Sequence, residues 1–113
     1  LEERVGTSTG LQALHGELAA ARLLSFRAAD AIDRGVPASH LSAMAKLAGG
    51  RVVQRAADAA VDVLGLEGLA EGPDAAIEGR AAALYRASVG STIAGGTAEG
   101  QQLVIARRGL GLR

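Results

Sequence analysis

The sequence predicts an all-α fold, most simply an up-down helical bundle, and three observations carry that prediction. Apolar residues recur at spacings of three and four, no stretch sustains period-two alternation, and Gly, Pro and hydroxyl residues divide the chain into four helix-length pieces. The chain has 113 residues, which suits one small domain.

The first helix is expected to follow a turn at Gly6-Thr7-Ser8-Thr9-Gly10, with Thr9 as its N-cap. From Leu11 to Arg34 the stripe is Leu11, Leu14, Leu18, Ala21, Leu24 (or Ala28) and Ile32, about 36 Å long at 1.5 Å per residue. Gly35 then supplies a left-handed cap, and Pro37 prevents continuation. A second helix is expected from a cap at Ser39 to Leu64, with Leu41, Ala45, Ala48, Val52, Ala56, Ala59 and Val63 on one face. Gly49 and Gly50 lie in its middle, each costing roughly 1 kcal/mol relative to Ala. Such a pair predicts that another backbone crosses closely there.

Gly65-Leu66-Glu67-Gly68 ends that helix. Pro73 suits the first position of a third, Asp74 favours its positive start, and Ile77, Ala81, Leu84 and Tyr85 continue the pattern. Gly90, Gly95 and Gly96 interrupt it. Thr97 is the expected N-cap of a fourth helix carrying Leu103, Val104 and Ile105, with Arg107 and Arg108 at its negative end and Gly109 as its cap. The side chains expected in the core are Leu14, Leu18, Leu24, Leu41, Ala48, Val52, Val63, Leu84 and Ile105.

Composition removes several classes of function. Twelve basic and twelve acidic residues cancel, so the footprint of a nucleic-acid binder or a polybasic membrane anchor is missing. There is no Cys, and His15 and His40 are too few to build a histidine metal site without carboxylates. No run of about 18 uncharged apolar residues predicts a membrane span. The start, Leu1-Glu2-Glu3-Arg4, has neither Met nor the order of a signal peptide, so residues 1–113 read as a domain-sized fragment of a larger, cytoplasmic protein. Alanine fills 25 positions while Phe26 and Tyr85 are the sole aromatics. Side chains that small bury little area, so the domain is expected to be marginal alone and to present an apolar face to other chains or domains.

The stretch Thr92-Ile93-Ala94-Gly95-Gly96-Thr97-Ala98-Glu99-Gly100-Gln101-Gln102 holds the most suggestive chemistry. A Gly-Gly pair opening onto a capped helix lets a ligand approach free N–H groups, although a plain helix-helix turn fits the same residues. It lacks the Gly-Lys-Ser/Thr ending of a phosphate loop and the preceding strand of a dinucleotide fingerprint. Elsewhere the polar residues read as surface: Asp58 three after Arg55 forms a helical pair, and Asp58 with Asp62 a solvated face.

That stretch resembles the C-terminal signature of the acyl-CoA dehydrogenases, in which Tyr-Glu-Gly-Thr or Gly-Gly-Thr-x-Glu-Ile-Gln opens the last long helix. Ala43-Met44-Ala45-Lys46-Leu47 resembles the family's Ala-x-Ala-Lys helix, and Asp62-Val63-Leu64-Gly65-Leu66-Glu67-Gly68 its Gln-x-x-Gly-Gly-x-Gly segment. Arg86 stands where the family has Leu-x-Arg-Asp, and Gln101 to Gly111 resembles the terminal Gln-Arg-x-Ile-Ile-Ala-Arg-x-x-Leu-Gly. The order is kept from Leu11 onward. Gly95 occupies the position of the family's catalytic Glu, Gly100 replaces an Ile, Asp62 the Gln, and Leu66 the second Gly.

The resemblance implies the C-terminal helical domain of an FAD-dependent enzyme that oxidises an acyl-CoA to the trans-2-enoyl thioester in fatty-acid or sterol side-chain β-oxidation. It implies cofactor contacts at Thr97, Glu99, Asp62 and Gly65, and substrate contacts at Gly95 and Gly96. The catalytic base is then not on this segment. The chain is expected to work in a homo- or hetero-oligomer, either within an active dehydrogenase or as a non-catalytic subunit lending helices and flavin contacts to an active neighbour.

Overall fold

The computed structural model describes the backbone of residues 2–113 and the side chains from residue 10 onward. Four α-helices follow one another, α1 (Glu2–Asp33), α2 (Ser39–Leu64), α3 (Arg80–Ser91) and α4 (Ala98–Val104), and no strand occurs among the described residues. Short 3₁₀ turns at Gly65–Leu69 and Ala76–Gly79 join α2 to α3, and a π-turn, Ile105–Gly109, extends α4. The predicted helical class is the observed one.

Helix α2 is the hub. It packs against α1, α3, α4 and the terminal π-turn. The longest dimension, 48 Å, matches the 32 residues of α1 at about 1.5 Å each.

The helix boundaries depart from expectation where punctuation had two uses. Helix α1 runs through the glycine- and hydroxyl-rich segment 6–10, so Thr9 does not open it. Once a helical ladder exists, each added residue gains one hydrogen bond, and without a proline neither glycine is enough to stop it. Ser39 is the first residue of α2 rather than its cap; Ala38 holds the cap position with no side-chain bond. Pro73 does not begin α3. The Ala75 N–H donates to Gly72 O over 3.2 Å, which closes a β-turn with Pro73 and Asp74 at its centre, residues that suit a turn as well as a helix start. Ile77, expected on the helix, has φ 47° and its neighbour Glu78 φ 59°, so α3 starts only at Arg80. Gly109 closes the π-turn, and the positive φ falls two residues later at Gly111.

The end of α1 follows the prediction. Gly35 takes φ 68°, its N–H reaches Ile32 O, and the Val36 N–H reaches Ala31 O, the paired bonds of a Schellman cap.

The helices meet through alanine. Ala21, Ala28, Ala31, Ala38, Ala43, Val52, Ala57, Ala81 and Ala82 are buried, along with Ser88, whose hydroxyl donates to Tyr85 O. Of the larger side chains expected in the core, Val52 is buried, while Leu14, Leu24, Leu41 and Ile105 are half-buried, as is Ala48. Leu18, Val63 and Leu84 are 55%, 59% and 38% exposed, which corrects the expected core. Alanine in the contact lets the backbones close up, and the leucines flanking it are left at the rim. Leu11, Leu14 and Ala56 run along an apolar groove between α1 and α2, open at one end to Leu18 and Leu84 and at the other to Val63 and Ile77. The accessible surface is 7925 Å², against about 5,700 Å² for a folded monomer of this mass. Arg55 pairs with Glu17 across the two helices, not with Asp58 on its own.

Candidate functional site at the α3–α4 turn

Residues 92–97 reverse the chain between α3 and α4 against the first half of α2. The turn bonds largely to itself. Ile93 and Ala94 N–H groups donate to Gly90 O at 3.1 and 2.9 Å, and the Gly96 N–H to Ile93 O at 3.0 Å. Gly95 has φ 72° and Gly96 φ 104°, a backbone that side-chain-bearing residues rarely adopt. A Cβ at Gly96 would also stand 2.5 Å from Gln101 Nε2, and that amide donates to Gly95 O at 2.7 Å. Space therefore demands glycine at Gly96, while at Gly95 it is the positive φ that disfavours a side chain.

Thr97 caps α4 as its sequence position predicts. It has extended backbone (φ −67°, ψ 164°), and its hydroxyl oxygen accepts from the Gly100 N–H at 3.3 Å. Glu99 is fully solvent-facing. Its own backbone N–H, and next the Thr97 hydroxyl, hold its carboxyl below the usual carboxylate range. The turn thus offers an ionised carboxylate, a hydroxyl and a Cβ-free stretch of backbone, side by side.

Lys46 supports this arrangement from below. Its ammonium donates to Ser91 O at 2.7 Å, and its Cε would lie 3.7 Å from a Cβ at Gly95. A cleft of about 150 Å³ between α2 and the turn is bordered by Lys46, Gly50, Arg51, Gln54, Thr92 and Gln101. Gly50 is near the crossing expected of the glycine pair, since a Cβ there would lie 3.8 Å from Ser91 O. Gly49 has no such neighbour.

Of the six residues predicted for the site, Gly95, Gly96, Thr97 and Glu99 come together. Asp62 and Gly65 do not join them. Sixteen residues along α2 separate Asp62 from Lys46, about 24 Å at helical rise. Both are exposed at the far end of that helix, where Gly65 closes it with φ 60°. Lys46 and Gln101 were read in the sequence only as parts of motifs. The signal for Lys46 was its uniqueness, one lysine among twelve basic residues, but its partner lies 45 positions away and no local spacing points to it.

A comparison with protein families matches residues 5–110 to the acyl-CoA dehydrogenase C-terminal domain. The chain belongs to that family. Neither the curated proteins nor the solved structures gave a match. The family match covers α1 from residue 5 onward and the whole of α2, α3 and α4, and no described helix is long and apolar enough to cross a membrane. Among the described residues no group of three His, Asp or Glu side chains gathers as a metal site.

Proposed function

We propose that this chain is the C-terminal helical part of an FAD-dependent acyl-CoA dehydrogenase that converts an acyl-CoA to its trans-2-enoyl thioester, with the base supplied from outside the segment. The observation that carries the proposal is the α3–α4 turn, where the residues kept from the family signature meet in one exposed place. Flavin, when bound, would accept the β-hydrogen of the acyl group as hydride. Toward it, Glu99 would accept from a ribose hydroxyl and the Thr97 hydroxyl would meet its polar edge. Gly95 and Gly96 would let the thioester approach the backbone without a Cβ between them. Asp62 and Gly65, at the opposite end of α2, would contact a different portion of a flavin, in the same subunit or a neighbouring one.

A second reading, a non-catalytic subunit in a hetero-oligomer, is favoured by Gly95 itself. Glycine cannot take the α-proton. The φ of 72° also shows a turn shaped for glycine, so a Gly95→Glu variant would strain it. The test is to purify the full-length protein, record flavin absorbance, and follow reduction of an artificial electron acceptor with acyl-CoA substrates. Flavin together with turnover supports the dehydrogenase. Turnover that appears only on adding a Glu-bearing homologue supports the subunit reading, and absence of flavin from both preparations overturns both. Thr97→Val with Glu99→Ala should lower flavin occupancy; unchanged occupancy would leave these residues as a helix cap alone.

A further inference from the structure

We propose that Lys46 is the positioning residue of the α3–α4 turn, holding the last carbonyl of α3 so that Gly95, Gly96 and Thr97 are presented at a fixed height above α2. An α-helix leaves its final carbonyls without partners inside the helix. At the end of α3 nearly all of them are satisfied locally. Ser88 O accepts from the Ser91 hydroxyl at 2.6 Å, Val89 O from the Thr92 hydroxyl at 2.7 Å, and Gly90 O from the Ile93 and Ala94 amides. Ser91 O instead takes the ammonium of Lys46 at 2.7 Å, from 45 residues earlier in the chain.

That bond is charge-assisted and sits at the negative end of a helix, two reasons for it to be stronger than a neutral one. No described carboxylate lies within ion-pair distance of Lys46; the ion pairs involve Arg34, Arg55, Arg80 and Arg86. Among the described residues no carboxylate therefore competes for its charge. A lysine suits the place because its slim stem passes under Gly95, with Cε 3.7 Å from where a Cβ would stand, before the ammonium reaches the carbonyl. The same side chain thus hydrogen-bonds at Ser91 and occupies the space that a side chain at Gly95 would face.

The inference rests on the reading of this turn as a flavin- and substrate-facing edge, and its test separates the two. In the full-length protein, Lys46→Met keeps the stem and removes the donor, while Lys46→Gln keeps a donor too short to reach Ser91 O. Amide hydrogen exchange is read on peptides covering 92–97 and, as an internal reference, 21–31 of α1. Exchange in 92–97 is expected to rise about tenfold in both variants with the α1 peptide unchanged, and the visible band of the bound flavin is expected to shift. Lys46→Arg, which restores a cationic donor, is expected to recover most of the protection. Unchanged exchange in 92–97, or an equal rise in α1, overturns the proposal. Wild-type protein that carries no flavin overturns the functional reading, and the exchange ratio then still decides whether Lys46 holds the turn.

Discussion

The α3–α4 turn and the α1–α2 groove are built on opposite principles. In the turn, polar groups answer one another within a dozen residues: Gln101 to Gly95, Gly100 to Thr97, Gly96 to Ile93, with Lys46 as the one distant support. In the groove, Leu11, Leu18 and Val63 are about half exposed beside a contact made of alanines. The turn is finished by short-range hydrogen bonds, whereas the groove holds apolar surface that this chain leaves open. A segment can complete its polar geometry locally because a hydrogen bond needs only one well-placed partner. Burying a leucine needs several neighbours, and an alanine-rich chain has few to give.

The largest expected effect strikes the alanine contact. Ala57 is wholly buried on α2, so Ala57→Leu must push α2 away from its neighbours. We expect a loss of about 2–3 kcal/mol, the usual scale of overpacking, read as a lower denaturation midpoint. A change below about 0.5 kcal/mol would mean that the helices are not held as close as the structure has them.

Removing the cap should weaken the turn less. Thr97→Val deletes the acceptor of the Gly100 N–H, and we expect about 1 kcal/mol, with the loss concentrated in exchange protection of α4. Protection falling equally in α1 would refute a local role. Smaller still, Leu18→Ser in the 113-residue chain should cost under about 0.5 kcal/mol, because a side chain 55% exposed has little burial to lose. A loss above about 1.5 kcal/mol would show that the chain fills its own groove, and the contrast with the turn would collapse.

The smallest effect concerns pH. The folded-state pKa of Glu99 lies below its ordinary value, so its contribution to stability is present above that value and fades as the pH falls through the folded one. Glu99→Gln should remove this acidic-side dependence, lowering stability slightly at neutral pH and leaving it nearly unchanged below the folded pKa, as urea titrations at a series of pH values would show.

Much of this molecule was legible in its residues. The spacing of Leu14, Leu18 and Ala21 marked α1, Gly35 marked its end, and Thr97 announced the start of α4 through a cap that needs only a hydroxyl three residues from an N–H. These features rest on contacts within one helical turn, so sequence distance and spatial distance coincide. Pro73 was ambiguous for the same local reason, since a proline fixes φ at a value that both helix starts and turns accept. Tertiary structure alone decided the rest. It placed Lys46 beneath Gly95, set Asp62 and Gly65 at the far end of α2 from Glu99, and chose alanine over leucine for the helix contact. Each of those outcomes depends on how closely two separate helices approach, a distance set by the smallest side chains between them. Periodicity identifies the face a helix turns inward, but it does not say which residue on that face touches first.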